Sequence, residues 1–168
     1  MMSSLNIKFE IIAIPSDLDL IKKVAQSAFS STPDSSLDEW FSFDQMQKYI
    51  EEGRGACIKA VSDSGSVVGM IYAQQENPIN GKEGLDKWVI CMVAVEEGAK
   101  GSGVGSGLLQ AMEEYVRKQD ASKIFVYTNQ GDETVIHFYH KNGYQNAGWI
   151  KDYQYGQNNS AVFLLKYL

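Results

Sequence analysis

The chain has 168 residues, of which 44% are hydrophobic and 21% charged, a composition typical of one globular domain of ordinary size. Fifteen Lys and Arg against 21 Asp and Glu give a formal net charge of −6, which disfavours binding to nucleic acid or to an anionic membrane surface. The longest apolar run, residues 88–95, is too short to span a bilayer. The first residues show no basic region followed by an apolar stretch, so we expect a cytoplasmic protein.

The first half of the chain predicts one strand and two helices. Alternating apolar residues predict a strand over 6–14. Ser16 is a suitable cap for a helix that ends at about Phe29. A second helix is predicted over Ser36–Glu52, with Ser36 as its cap and Gly53 as its stop.

A hairpin and a strongly hydrophobic strand follow. Residues 57–61 and 67–73 are strand-like, and Ser62–Gly65 between them has the composition of a tight turn. The polar stretch 75–86 is predicted to be a loop. Lys87–Val95 is the most hydrophobic strand, so we expect it to lie at the centre of the sheet.

The second half alternates helices with strands. Its predicted elements are a helix to about Gln119, a strand over Lys123–Thr128, a helix over Glu133–Lys141 that Gly143 ends, and strands over Tyr144–Ile150 and Ala161–Tyr167. The resulting order, βααβββαβαββ, predicts an α/β (α+β) fold with a mixed central sheet. Since no stretch resembles a linker, we expect residues 1–168 to form a single domain.

The cysteines and histidines do not predict a metal centre. Cys57 and Cys91 lie in apolar, strand-like runs and are expected to be buried, reduced thiols, with a single disulfide as the alternative. His137 and His140 have the i, i+3 spacing found in some metal sites, but no further ligand-type residues accompany them. We therefore expect both histidines to face solvent and the protein to need no metal.

Five of the 15 glycines fall within the ten residues Gly98–Gly107, which we call the glycine segment. It lies between the predicted central strand and a helix. Alternate glycines let a backbone approach a ligand closely, and a helix N-terminus offers unpaired amides and the positive end of the helix dipole. Lys100 adds a positive charge, so the segment predicts a phosphate or pyrophosphate site. The spacing matches neither a Walker A loop nor a Gly-x-Gly-x-x-Gly dinucleotide fingerprint.

The run Lys100–Gly105, KGSGVG, resembles the acyl-CoA loop of the GNAT superfamily of N-acetyltransferases, which reads Arg or Gln, two residues, Gly, any residue, then Gly or Ala. Lys100 departs from the usual Arg or Gln and lacks the planar fork of Arg. A second run, Ile136–Tyr144, resembles the family's Phe-Tyr-x-x-x-Gly-Phe segment. In this resemblance Tyr139 matches the family's tyrosine. Seven residues before that tyrosine the family often has Asn, whereas this chain has Asp132. Asn129 is the alternative residue for the role of that Asn.

The resemblance implies acetyl-CoA as co-substrate and assigns roles to particular residues. The backbone of 93–95 would pair with the pantetheine arm, and an N–H near Val93 would stabilise the oxyanion. Tyr139 would be the catalytic residue that donates a hydrogen bond or proton to the CoA sulfur. The implied cofactor-binding residues are Val93, Ala94, Val95, Lys100, Gly101, Ser102, Gly103, Val104, Gly105, Ser106, Asn129 and Asp132.

The general base and the acceptor stay open at this point. Glu76, Asp86 or a chain of waters are the candidates for the base. Four aromatic residues of the second predicted helix either line the bottom of an acceptor pocket or pack in the core: Trp40, Phe41, Phe43 and Tyr49. The acidic run 34–52 would attract a cationic amine or is a solvated helix face.

We therefore expect a cytoplasmic, acetyl-CoA-dependent N-acetyltransferase that acts directly on a primary amine of a small molecule or peptide. A non-catalytic acyl-CoA-binding or regulatory module on the same fold is the first alternative. A phosphate- or nucleotide-binding domain that uses the glycine segment alone is the second. A homodimer that pairs through the last strand, Ala161–Tyr167, is a further expectation that the sequence leaves open.

Overall fold

The structure is a computed structural model that describes residues 6–30, 37–76, 86–154 and 158–168. Its elements follow one another along the chain in this order: β1 Lys8–Ile11, α1 Leu18–Phe29, α2 Leu37–Trp40, α3 Phe43–Glu51, β2 Gly55–Val61, β3 Val67–Gln75, β4 Lys87–Val95, α4 Val104–Arg117, β5 Lys123–Asn129, α5 Glu133–Lys141, β6 Gln145–Ile150 and β7 Ala161–Tyr167. A short 3-10 turn, Glu97–Ala99, precedes α4.

The strands form a seven-stranded mixed sheet in the order β1-β2-β3-β4-β5-β7-β6. β4 and β5 are parallel, whereas β1–β2, β2–β3, β5–β7 and β6–β7 are antiparallel pairs. This confirms the predicted α/β fold with a mixed sheet, and it confirms β4 as the central strand. The extent of the domain, residues 1–168, stays a prediction, since backbone contacts group the chain into two compact units.

The first unit comprises Met1–Gln74 and Cys91–Glu114. It contains β1 to β3, the second half of β4, the first three helices and most of α4. Its core joins apolar residues of α1, α2 and α3 to residues in or next to the strands: Ile12, Ile21, Val24, Ala25, Leu37, Phe43, Met46, Cys57, Met70, Tyr72, Met92 and Ala94. The stripe of α1 that enters this core is Ile21, Val24 and Ala25, which is the i, i+3, i+4 pattern of an amphipathic helix.

The second unit comprises Gln75–Ile90 and Tyr115–Leu168. In it the start of β4 pairs with β5 over three register positions, from Lys87↔Lys123 to Val89↔Phe125. β7 is hydrogen-bonded to β5 on one edge and to β6 on the other. Because both edges of β7 are occupied within the chain, Ala161–Tyr167 offers no free edge to a second copy, and the homodimer itself stays a prediction.

The single helix expected over Ser36–Glu52 is instead two helices, α2 and α3. The break lies at Ser42, whose backbone is extended (φ −111°, ψ 110°) and whose hydroxyl accepts a hydrogen bond from the Gln45 amide. Ser42 therefore caps a new helix, and a capped break satisfies an amide that an uncapped helix end leaves unpaired. The proposed cap Ser36 lies outside the described residues.

The other local predictions need smaller changes. Ser16 is not the cap of α1: Asp17 holds the N-cap position, and the Ser16 hydroxyl donates to the Ala13 carbonyl. The predicted turn after β2 is confirmed, because the Gly65 amide donates to the Ser62 carbonyl and Gly65 has φ 81°. β3 continues to Gln75, so the predicted loop begins later, and its residues 77–85 lie outside the described residues. Across the ranges that the structure describes, every helix is too short or too polar to cross a membrane.

Candidate functional site

The glycine segment leads from the end of β4 into α4. Gly101 and Gly103 have φ of 75° and 89°, in the left-handed region that residues with a Cβ atom rarely adopt. A Cβ atom built on either glycine would have no heavy atom within 4 Å. The backbone at these two positions therefore requires glycine, and it faces open space that a ligand can enter.

The first turn of α4 presents unpaired donors beside those glycines. The Gly107 amide donates to the Gly103 carbonyl at 2.9 Å, which begins the helical hydrogen-bond ladder. The amides of residues 104–106 precede that ladder, and the positive end of the helix dipole lies with them. An anion of phosphate size is the ligand that such a helix start favours.

Lys100 lies beside this helix start, but its charge already has a partner. Its Nζ is 2.6 Å from Glu97 Oε2, and the Lys100 side chain is 48% exposed. An exposed pair of this kind is weak and is readily exchanged for another anion. Ser102 is also engaged locally, since its hydroxyl donates to the Ala99 carbonyl. The sequence analysis named Lys100 and missed Glu97, although the i, i+3 spacing of opposite charges was a visible signal.

The second half of β4 is the outermost strand of the first unit. The Ala94 carbonyl lies 3.0 Å from the position of a Cβ atom on Gly69 of β3, and the Glu96 amide donates to the Val68 carbonyl of β3. Ala94 and Glu96 thus direct their backbone groups toward β3. Because neighbouring residues of a strand direct these groups to opposite sides, Val93 and Val95 direct theirs away from β3. This is the orientation that strand-like pairing with an extended ligand needs.

Tyr139 lies in α5 of the second unit and is 4% exposed. Its ring packs edge-on against Phe138 and Tyr144, with centroid distances of 5.2 and 5.3 Å. The Tyr144 amide donates to the Tyr139 carbonyl at 3.1 Å. Helix and aromatic neighbours therefore hold Tyr139 in one orientation.

Asp132 and Asn129 both have structural roles at the start of α5. Asp132 is the N-cap, and its Oδ1 accepts a hydrogen bond from the Val135 amide at 3.1 Å. Asn129 Oδ1 accepts from the Gly131 amide at 2.8 Å, and its Nδ2 donates to Asn159. Asn and Asp are about equally good N-caps, so Asp132 fits its position without any contact to a ligand.

A family model described as Acetyltransferase (GNAT) family matches residues 19–144. The chain belongs to the acetyltransferase (GNAT) family. The matched range contains the glycine segment and the whole of α5, and no curated protein matches the sequence.

Solved structures of distant relatives share the fold of this GNAT protein. The ribosomal-protein-alanine N-acetyltransferase of Brucella melitensis has a TM-score of 0.76 with 20% identity, over 96% of this chain and 99% of its own. The IAA acetyltransferase of Bacillus cereus has a TM-score of 0.67 with 22% identity, over 97% of this chain and 100% of its own. An aminoglycoside 6'-N-acetyltransferase in complex with coenzyme A has a TM-score of 0.72 with 19% identity, over 95% of this chain and 96% of its own.

Both carboxylates proposed as general base lie beside a lysine in this GNAT protein. Glu76 Oε2 is 2.6 Å from Lys87 Nζ. Asp86 Oδ2 accepts a hydrogen bond from the Ser122 hydroxyl at 2.8 Å and lies 3.3 Å from Lys123 Nζ. The Ser122 hydrogen bond and the Lys123 charge lower the pKa of Asp86, which makes it a weaker base.

Both cysteines are free thiols, as predicted, so the disulfide alternative is wrong. Burial raises the pKa of Cys91 to about 12 and also raises the pKa of Cys57. A thiol with so high a pKa is a poor nucleophile at neutral pH. His137 and His140 are exposed, and His140 Nε2 lies 2.9 Å from Asn146 Oδ1. The part of the chain that the structure describes contains no group of three or more metal-ligating side chains.

The aromatic candidates for the acceptor floor differ in burial. Phe43 is a core residue, and Phe41 packs edge-on against Phe43 and Tyr72. Trp40 is 46% exposed and contacts Phe29 and Phe41. The Tyr49 ring lies against the Arg54 guanidinium at 4.6 Å. Among these candidates Trp40 is the most exposed, Phe41 and Tyr49 are half-buried, and Phe43 is buried.

The acidic run is partly neutralised. Glu52 pairs with Lys48 and Arg54, and Glu51 accepts a hydrogen bond from Gln47. Its other members within the described residues are exposed on α2 and α3: Asp38, Glu39 and Asp44. Asp34 lies outside the described residues.

Proposed function

We propose that this protein is an acetyl-CoA-dependent N-acetyltransferase that acetylates a primary amine of a small molecule or a peptide. The observation that carries the proposal is the start of α4, where Gly101 and Gly103 adopt left-handed backbone in open space beside the unpaired amides of residues 104–106. A diphosphate fits this arrangement in size and charge. Membership of the GNAT family supports the same donor.

Two stretches of the first unit would hold acetyl-CoA. The amides of 101–106 would bind the pyrophosphate, and Lys100 would exchange its bond with Glu97 for a phosphate oxygen. Val93 and Val95 direct their backbone groups away from β3, so 93–95 would pair with the amide groups of the pantetheine arm as an added strand would. Asp132 and Asn129 would act only indirectly, by fixing the start of α5.

The proposed reaction is direct transfer without an acetyl-enzyme. A neutral amine attacks the thioester carbonyl, the C–N bond forms, and the backbone N–H of Val93 donates to the oxyanion. Collapse of the tetrahedral intermediate breaks the C–S bond, and Tyr139 donates a proton to the departing thiolate. The amine releases its proton to water, directly or through Glu76 or Asp86, whose ion pairs with lysine are exposed and exchangeable. The high pKa of Cys91 supports direct transfer, because this thiol would be a poor acceptor of acetyl.

A non-catalytic acyl-CoA-binding or regulatory module is the second candidate. The observation that favours it is the engagement of both candidate bases, together with the lack of any carboxylate in Lys87–Val95. Such a module would bind CoA through the same glycine segment and acetylate nothing.

The acceptor class and the compartment belong to the same proposal. The three relatives compared above have different names and acceptors on one fold, so the fold alone does not choose an acceptor. Exposed Asp38, Glu39 and Asp44 would attract a cationic amine. Two free thiols, the buried Cys57 and the half-buried Cys91, suit the reducing cytoplasm, where acetyl-CoA is present.

The experiment that tests this proposal has two arms. Thermal shifts with acetyl-CoA, CoA, ATP and NAD identify the ligand class, and we expect stabilisation by the two CoA species only. Release of free CoA thiol over a panel of amines then tests turnover. Stabilisation by ATP or NAD without CoA would contradict the proposal, and CoA binding without turnover on any amine would favour the module.

Tyr139→Phe tests the catalytic role within the same assay. It removes the hydroxyl and keeps the ring that packs on Phe138 and Tyr144, so we expect kcat to fall about 100-fold with little change in acetyl-CoA affinity. Phe138→Leu removes a ring contact and leaves the Tyr139 hydroxyl in place, so it shows what disturbed packing alone does to kcat. Normal turnover in Tyr139→Phe would remove this residue from the mechanism.

A further inference from the structure

Two glycines outside the proposed binding residues lie where α4 packs on the sheet of the first unit. Gly69 belongs to β3 and Gly107 to α4. Neither has positive φ, so neither is needed for its backbone conformation. What distinguishes them is the lack of space for a side chain.

At Gly107 the space of a side chain is filled by Phe9 of β1. A Cβ atom on Gly107 would lie 2.8 Å from Phe9 Cε2 and 3.1 Å from Cε1, and nearer still to Cζ. Phe9 is held in β1 opposite Ala60 of β2, and its ring is 37% exposed. The ring therefore packs directly on the backbone of α4, three residues after the helix begins.

At Gly69 the crowding comes from both parts of the proposed site. A Cβ atom there would lie 3.0 Å from the Ala94 carbonyl oxygen, 3.1 Å from Val104 Cγ1 and 3.2 Å from Leu108 Cδ1. Val104 is the first residue of α4, and Ala94 lies in the stretch proposed to pair with pantetheine. A side chain at Gly69 would push on a backbone atom and on the helix start together.

We propose that Gly69 and Gly107 are positioning residues that set how closely the first turns of α4 approach the sheet, and thereby place the amides of residues 104–106. This inference rests on the proposed binding of acetyl-CoA by those amides. A helix moves as a rigid body, and amide hydrogen bonds weaken steeply with distance and angle. A methyl group at either glycine would shift these donors although it touches no ligand.

Gly107→Ala, compared with Phe9→Ala and the double variant, tests the proposal. Calorimetry would measure the affinity for CoA and for pantetheine, which lacks the pyrophosphate. We expect Gly107→Ala to bind CoA about tenfold more weakly and pantetheine unchanged, since only the pyrophosphate contacts the displaced amides. Removing the ring in Phe9→Ala/Gly107→Ala should restore CoA affinity to within about twofold of Phe9→Ala alone.

A merely structural role predicts different results. Ala has a higher helix propensity than Gly. If the Phe9 ring simply rotates away from the new methyl group, Gly107→Ala should be at least as stable as wild type and should bind CoA with unchanged affinity. That result would overturn the proposal. Equal weakening for CoA and pantetheine would overturn it as well. Gly148→Ala in β6 of the second unit is the control, because a Cβ atom there has nothing within 4 Å, and its affinity should stay unchanged.

Gly69→Ala makes the same test at β3 and serves if Gly107→Ala does not fold. Its methyl group also crowds the Ala94 carbonyl, so we expect it to weaken pantetheine binding as well, but CoA binding by the larger factor. Absence of CoA binding in the wild type would overturn the proposed function and this inference together. CoA binding in the wild type with unaltered affinity in both glycine variants would overturn this inference alone.

Discussion

The loop before α4 and the surface where α4 packs on the sheet use glycine for opposite reasons. Gly101 and Gly103 have left-handed backbone, and a Cβ atom there would meet nothing within 4 Å. Gly69 and Gly107 have ordinary backbone, but a Cβ atom there would crowd neighbouring atoms. The first pair needs backbone freedom and leaves room for a ligand, whereas the second pair needs the missing side chain. A glycine-rich stretch therefore indicates a ligand site only where conformation and open space occur together.

The largest expected effect on CoA affinity follows from placing a charged side chain at one of the two open glycines, Gly101 and Gly103. Gly103→Asp places a carboxylate where the pyrophosphate is proposed to bind, so we expect CoA affinity to fall at least about 100-fold. The fold should lose only about 1 kcal/mol, since Asp tolerates left-handed backbone better than most residues. Calorimetry with CoA and thermal denaturation measure the two effects separately.

Gly103→Asn is the matched control for that variant, because it adds nearly the same volume without charge. It should bind CoA better than Gly103→Asp does. Equal affinity in the two variants would show that bulk alone decides, and full affinity in both would place the ligand elsewhere.

At the crowded glycines, Gly69 and Gly107, a larger side chain should lower the stability of the fold. Gly69→Val pushes branched methyl groups against the Ala94 carbonyl, Val104 and Leu108, and we expect about 3 kcal/mol of lost unfolding free energy. Urea denaturation measures this loss, with Gly98→Val in open space as the control at less than about 1 kcal/mol. A Gly69→Val protein of wild-type stability would contradict the crowding.

Two ion pairs of the first unit also differ in burial: Asp17–Lys59 is mostly buried, whereas Glu97–Lys100 is exposed. Asp17 accepts hydrogen bonds from the Ala13 amide at 2.8 Å and from Lys59 Nζ at 3.0 Å, and both side chains of the pair are mostly buried. The Ala13 hydrogen bond, with Lys59, lowers the pKa of Asp17 from its ordinary value of 3.8. Because the folded-state pKa is the lower one, this stabilisation is present above about pH 4 and is lost as the pH falls through the folded-state pKa.

Asp17→Asn should therefore lower stability by about 2 kcal/mol at pH 7 and by much less at pH 2. Urea denaturation at the two pH values measures the difference. Glu10→Gln is the control, because Glu10 is exposed and lies 3.8 Å from the same lysine, and its effect should stay below about 0.5 kcal/mol. The same loss for Asp17→Asn at both pH values would contradict the assignment.

The smallest expected effect on CoA affinity is at the exposed ion pair of Glu97 with Lys100. Glu97→Gln frees Lys100 for a phosphate, so CoA affinity should rise about threefold at low salt and less at high salt. Titrations at two salt concentrations measure the change. Glu96→Gln serves as the control, and a fall in CoA affinity in Glu97→Gln would contradict the proposed exchange of partners.

Local sequence patterns predicted much of the fold. The bounds of β4, α5 and β7 follow from apolar runs and helix signals, and the structure has the predicted residues at each end. The break at Ser42 was missed because the apolar pattern continues through it, although Ser42 and Gln45 have the Ser-x-x-Gln spacing of a capping box. The placement of β7 between β5 and β6 depends on pairing between distant strands, which periodicity does not reveal.

The candidate site was predictable only where its residues are adjacent in sequence. The run Lys100–Gly105 shows its own spacing, whereas the left-handed backbone of Gly101 and Gly103 is known only from the structure. The contact of Phe9 with Gly107 joins residues far apart in the chain, so no local pattern indicates it. The capping role of Asp132 also needed the structure, because an Asp before a helix is equally a candidate ligand.

The central claim is that the amides of residues 101–106 bind the pyrophosphate of CoA. The most direct measurement is a titration of the ¹⁵N-labelled protein, followed by amide NMR shifts, with CoA and with pantetheine. We predict saturable shifts at 101–106 with CoA and none there with pantetheine, whose shifts should fall at 93–95. CoA binding that leaves the amides of 101–106 unshifted would contradict the account.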